Sequence, residues 1–188
     1  MVTKIEIKHL LINMRDSILY SFYQKKNSPR YIRKIVFVCK GNICRSAFAE
    51  NLMRAESKNR SISIESGGLN VDPATKPPIE AVATATNLEV DLDGHFPKGL
   101  EHCDVENADL ILAMEFWQYK KLRQLYPKKS DNIMLLREFT LFPENLLCNI
   151  DDPYGQSERT FKRCFMQIRR AVRNLWSEGP TAGMGRDP

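Results

Sequence analysis

Scarce cysteine, the lack of any long apolar run and the lack of a charge surplus in the main body set the first limits. Five cysteines, an odd number without paired metal-ligand spacing, suit neither a disulfide framework nor a zinc site, so reduced thiols with no metal and no other cofactor are expected. The longest apolar runs, Ile35 to Cys39 and Leu110 to Met114, fall far short of the ~20 residues a membrane-crossing helix needs. No secretory signal is read at the N-terminus. Lys8, Arg15 and Asp16 interrupt its hydrophobic positions and no small-residue cleavage site follows, which points to a cytoplasmic address. The net charge of +5 suggests nucleic acid until it is divided along the chain. Residues 1–34 hold eight basic and two acidic side chains, +6, while the remaining twenty basic and twenty-one acidic ones leave −1. With no RNA- or DNA-reading module of aromatic and basic residues, nucleic acid is not an expected partner.

What is present describes one domain with an appendage. A chain of 188 residues, 43% hydrophobic and 27% charged, has the length and balance of a single core-forming domain. Ile7, Leu10, Leu11, Met14, Ile18 and Phe22 recur at helical spacing, so residues 4–25 read as an amphipathic helix with a polar, mainly basic back. After Lys-Lys-Asn-Ser-Pro, the β-branched and aromatic run Lys34–Cys39 suits a buried central strand. A loop containing Gly41 and Asn42 leads into a helix starting at Ser46. Further strands are read at Ser61–Ser66, closed by Gly67-Gly68, at Asp109–Met114 and at Ile133–Leu136. Helices follow Pro77-Pro78, surround Trp117 and Leu122, and run from Glu158 to Trp176. The alternation implies an α/β fold, a four-stranded parallel sheet covered by helices on both faces, whose ligands bind at the carboxyl ends of the strands. Residues 1–33 read as a helical extension, 34–177 as the main domain and 178–188, rich in glycine, as a disordered tail.

The segment Cys39-Lys40-Gly41-Asn42-Ile43-Cys44-Arg45-Ser46 leaves a strand and enters a helix. Backbone N–H groups of a tight loop at a helix N-terminus converge on an anion, so the seven residues Lys40 to Ser46 are candidates for holding a phosphate. Gly41 and Asn42 are the residues expected to supply the permissive backbone angles. Arg45 can grip two phosphate oxygens through its planar fork. A positive field of this kind favours the thiolate of a cysteine such as Cys39, the form that attacks phosphorus.

Val36 to Ser46 with Ala49-Glu50 behind it resembles the signature of the low-molecular-weight protein tyrosine phosphatases, and the likeness continues to about Trp176. Ser66-Gly67-Gly68, Gly94-His95, Asp109–Met114 and Asp152-Pro153-Tyr154-Gly155 match further family segments. The chain departs from the family at Gly67, in place of a usual alanine, at Ala47, in place of a common proline, and at Phe96-Pro97-Lys98. The resemblance implies a fold of the phosphotyrosine protein phosphatase I type and hydrolysis of aryl phosphates through a phosphocysteine. Asp152 is then the general acid, chosen over Asp151 by the Asp-Pro-Tyr match.

Tyr154, with Leu69 and Asn70, is expected to form the substrate rim, because aromatic faces recognise aryl groups by stacking. Ser46 reads as a support for the Cys39 thiolate or as a helix N-cap. The resemblance implies that His95 orients Asn42 and that Cys44 forms a reversible disulfide with Cys39. It also implies phosphotyrosine proteins, a tyrosine kinase among them, as partners. Two other readings compete. An arsenate reductase on this scaffold needs cysteines after the third strand, where the chain has Met114-Glu115-Phe116-Trp117. A non-catalytic phosphate-docking module needs neither thiol nor acid. For the N-terminal helix three readings stand: packing on its own domain, contact with a partner, or contact with an anionic membrane surface.

Overall fold

The computed structural model describes residues 4–23, 31–57 and 61–178. The tail expected at 178–188 therefore lies, from residue 179, outside the described residues. Four strands, β1 (Lys34–Cys39), β2 (Ser63–Gly68), β3 (Leu110–Ala113) and β4 (Ile133–Leu135), form one parallel sheet in the order β2-β1-β3-β4. β1 is central, and alternation along it feeds two separate cores. Ile35, Phe37 and Cys39 enter one with α2 (Arg45–Glu56), α3 (Ile79–Thr86) and α5 (Glu158–Glu178), while Val36 and Val38 enter the other with α4 (Phe116–Leu125). Helices thus cover both faces, which is why β1 from Ile35 onward and β3 read as continuous apolar runs.

β2 runs two residues beyond the expected strand and takes in Gly67 and Gly68. A Cβ at Gly67 would lie 2.9 Å from both Leu100 Cα and Cys103 Sγ, so the glycine at this departure from the family pattern is required by close packing. Inside the first core, Phe48 of α2 stacks on Phe165 of α5 with ring centroids 4.1 Å apart. This contact fixes the helix that carries Arg45 against the closing helix.

α1 (Lys4–Ser21) docks on the second core, and it does so with its polar side. Asn13 and Asn149 exchange bonds, Nδ2 of Asn13 donating to the Asn149 carbonyl (3.4 Å) and the Asn149 N–H donating to Asn13 Oδ1 (3.0 Å). Asn149 Nδ2 donates to Asp16 Oδ2 (3.0 Å), and the Cys148 N–H donates to Ser17 Oγ (2.9 Å). Tyr20 reaches Glu138 with its hydroxyl and packs edge-on against Tyr119 (5.0 Å). The apolar stripe read from the sequence points away: Leu11 is 60%, Ile18 63% and Phe22 81% exposed. Among the described residues no helix is long and apolar enough to cross a membrane.

Candidate active site

Cys39 ends β1, and the chain bends through Lys40–Cys44 into α2. Within this bend only Asn42 takes a left-handed conformation (φ 55°), which asparagine tolerates better than most residues. The expected use of Gly41 for the same purpose is corrected: its φ is not positive, and a Cβ there would meet nothing closer than 3.7 Å. Glycine is needed instead at Gly68, where a Cβ would sit 2.9 Å from the Lys40 carbonyl oxygen and 2.4 Å from Val71 Cγ2. There the end of β2 supports the bend, the Leu69 and Asn70 N–H groups donating to the carbonyls of Cys39 (3.1 Å) and Lys40 (2.8 Å).

Beneath the bend runs a buried polar chain. Asn42 Nδ2 donates to Ser46 Oγ (3.0 Å) and to Ser66 Oγ (2.7 Å), while its Oδ1 accepts the Lys98 N–H (2.9 Å). Both donors of this buried amide are used, and its oxygen accepts one bond. Ser66 in turn donates to the Glu50 carboxylate. Since Ser46 Oγ accepts from Asn42, its own proton is free to point at Cys39 Sγ, 3.0 Å away, which also accepts the Asn42 N–H (3.2 Å). His95 Nε2 lies 2.8 Å from the Asn42 carbonyl oxygen. Ser46 is not the helix N-cap: α2 starts at Arg45, and the cap is Cys44, with no side-chain cap bond.

Arg45 is 1% exposed. Its Nη1 donates to Glu115 Oε1 (2.6 Å) and the Ile150 carbonyl (2.9 Å), and its Nη2 pairs with Asp152 Oδ2 (2.8 Å). Burial acts against the charge, but Glu115 and Asp152 more than offset it and hold the guanidinium above the usual arginine range. Burial is also the main force that pushes the Cys44 thiol well up and the Cys164 thiol up to about 12. All five cysteines are free.

These groups open into a pocket of about 230 Å³ lined by Cys39, Lys40, Gly41, Ile43, Cys44 and Arg45 of the loop and by Asp152 and Tyr154. Asn70, Asp72 and Thr75 complete its wall. Tyr154 stands half exposed at the lip. Asn42 and Ser46 are fully buried behind the loop and do not line the pocket. Leu69, expected at the rim, packs instead against the core layer of Val36 and Val38, because it follows β2 directly and its side chain falls on the inner face.

The family model for low molecular weight phosphotyrosine protein phosphatase matches residues 34–182. The chain belongs to that family. Among its phosphatase relatives, the low molecular weight protein-tyrosine-phosphatase Wzb of Escherichia coli strain K12 is 30% identical over 148 residues, 79% of this chain and 95% of that protein. The solved tyrosine phosphatase amsI of Erwinia amylovora superposes with a TM-score of 0.70 at 26% identity, over 78% of this chain and 93% of that one. A mutant of the arginine phosphatase YwlE, solved with a phosphorylated active-site serine, gives a TM-score of 0.68 at 26% identity, over 77% and 94%. The phosphatase family match begins at residue 34, so α1 lies outside it.

Three side chains of this phosphatase site were not singled out from the sequence: Glu115 on Arg45, and Asp72 and Thr75 in the wall. Glu115 directly follows the third buried strand, where ligands of parallel sheets gather, and that position was its one available signal.

Proposed function

We propose that the protein hydrolyses phosphotyrosine esters of proteins through a phosphocysteine intermediate, with Cys39 as nucleophile, Arg45 as phosphate ligand and Asp152 as general acid. The observation that carries this reading is the meeting of a thiol, a guanidinium and a carboxylate in one pocket, Asp152 lying 2.8 Å from Arg45. The loop N–H groups and Arg45 hold the phosphoryl oxygens and stabilise their charge without requiring a metal. The Cys39 thiolate attacks phosphorus, the P–O bond to the ring breaks, and Asp152 gives its proton to the phenolate. Asp152 then takes a proton from the water that attacks the phosphocysteine, and the thiolate leaves with the Ser46 hydroxyl directed at it. Ile43 and Tyr154 flank the ring.

Phosphoarginine is the competing substrate class. Its cationic leaving group calls for a free carboxylate in the wall. In the wall Asp72 accepts from the Ala74 N–H (3.0 Å) and the Thr75 hydroxyl (3.0 Å) but keeps its charge and further lone pairs, so a comparison of turnover on the two substrates is what separates the classes. The thiol relay of an arsenate reductase has no support after β3, where Glu115 is spent on Arg45. Residues 34–177 are the proposed catalytic domain, the cytoplasm its proposed location, and phosphotyrosine proteins, including a tyrosine kinase, its proposed partners.

The test is rapid-quench trapping of labelled phosphate on Cys39, with turnover of phosphotyrosine and phosphoarginine peptides compared. Cys39→Ser and Arg45→Ala should abolish turnover. Asp152→Ala should slow a poor leaving group about 10² to 10⁴ fold and a good one less. Equal losses on both leaving groups would remove Asp152 from its role, and preference for phosphoarginine would reassign the substrate. Activity should survive excess chelator.

A further inference from the structure

The proposed reaction leaves α1 unexplained, and its orientation is unusual for a helix packed on a domain. Amphipathic helices ordinarily bury their apolar stripe. Here Asn13, Asp16, Ser17 and Tyr20 bind the domain, and Ile7, Leu11, Met14, Ile18 and Phe22, which share one helical face, stay exposed. The orientation is specified by the sequence. Turning the helix over would strand the Asn149 and Cys148 N–H groups, whose acceptors are Asn13 and Ser17.

Charge indicates what covers the face. Lys8 and Arg15 are exposed, and Asp16, 6% exposed, accepts from Asn149 with one carboxylate oxygen and pairs with Arg15 (2.8 Å) through the other. The adjoining sequence adds Lys25, Lys26, Arg30 and Arg33 with no acid between residues 24 and 34, whereas Lys34 is taken by Asp104 and Glu65. A second copy would bring two such cationic segments together, which repel. An anionic bilayer complements them, and long basic side chains beside an apolar stripe reach the headgroups while the stripe enters the interface.

We propose that α1 seats the protein on anionic membrane surfaces, its outward apolar face in the lipid interface and its basic residues on the lipid phosphates. The helix lies on the surface and does not cross it. Because Asn13 and Ser17 hold Asn149 and Cys148, a few residues before Asp152, the seat is linked to the segment that leads into the catalytic pocket.

The test is co-sedimentation of the full chain with vesicles of phosphatidylcholine alone or mixed with phosphatidylglycerol, alongside light scattering of the free protein. Binding is expected to the phosphatidylglycerol vesicles and to weaken as salt rises. Leu11→Asp combined with Ile18→Asp should weaken binding at least about tenfold, and Lys8→Glu roughly fivefold or more, with p-nitrophenyl phosphate turnover and melting temperature unchanged. Failure of the wild-type chain to bind phosphatidylglycerol vesicles overturns the proposal without reference to any variant, as does equal binding to neutral vesicles. A dimer dispersed by the double substitution, in a chain that ignores vesicles, would assign the face to a second copy instead.

Discussion

Replacing Asn42 by alanine tests how the phosphate loop is held. The substitution leaves the part-buried Lys98 N–H without its acceptor, a loss of about 1–3 kcal/mol. Ser46 and Ser66 each lose a donor but keep Cys39 and Glu50, which limits their joint cost to about 1 kcal/mol. Alanine at φ 55° adds about 1 kcal/mol of backbone strain. The sum is about 3–5 kcal/mol, or a fall in melting temperature of roughly 10 °C for a chain of this size. With Ser46 no longer oriented, turnover of p-nitrophenyl phosphate should drop about a hundredfold and inhibition by inorganic phosphate should weaken. Asn42→Gly removes the strain but not the lost bonds, so it should be more stable than Asn42→Ala while remaining equally impaired in catalysis. Thermal melts, urea titrations and phosphate inhibition constants measure these outcomes. An alanine variant with wild-type stability and phosphate inhibition would refute the account of the loop, and a glycine variant no more stable than alanine would refute its backbone part.

Glu115→Gln keeps the bonding shape near Arg45 but removes the charge, so kcat/KM should fall about 10- to 100-fold with weaker phosphate inhibition; unchanged inhibition would show that Arg45 does not need this partner. Burial holds the Cys44 and Cys164 thiols in the protonated form, so brief treatment with iodoacetamide near neutral pH should leave both unmodified in the native protein, as peptide mass spectrometry would show. Burial also raises the Glu138 carboxyl above its ordinary 4.5, so the unfolded chain gives up that proton before the folded one does. Its stabilising contribution is therefore complete below pH 4.5 and declines as pH rises through the folded value, and urea midpoints should show this decline in the wild type and lose it in Glu138→Gln. Gly68→Ala forces a Cβ to 2.9 Å from the Lys40 carbonyl oxygen and should cost about 1–3 kcal/mol along with turnover.

The sheet was legible because each strand announces itself locally. Residues 35–39 and Leu110–Ala113 are buried on both faces and therefore apolar at every position. Phe161, Phe165, Ile168, Val172 and Leu175 likewise mark the inner stripe of α5. Cys39, Arg45 and Asp152 were legible because each stands in a motif only a few residues long. Glu115, which pairs with Arg45, and Asp72 and Thr75, which line the pocket wall, were not, since they join the site through tertiary approach and carry no spacing of their own. The Gly67-Gly68 pair suggested a stop after the second strand, whereas the missing Cβ atoms let neighbouring backbone close in while the strand continues. Helical periodicity in α1 separated two faces correctly but not which one the domain takes. That choice depends on Asn149, 136 residues from Asn13 in the chain.

Because α1 is held mainly by directional polar contacts, its release would uncover little greasy surface apart from the rings around Tyr20. Heat-capacity change scales with the apolar area exposed, so this detachment should have a shallow, enthalpy-led temperature dependence, unlike the sharply curved profile of the core. On warming, the appendage should therefore come away in a broad early phase visible by hydrogen exchange, while the sheet beneath it melts later as a single cooperative unit.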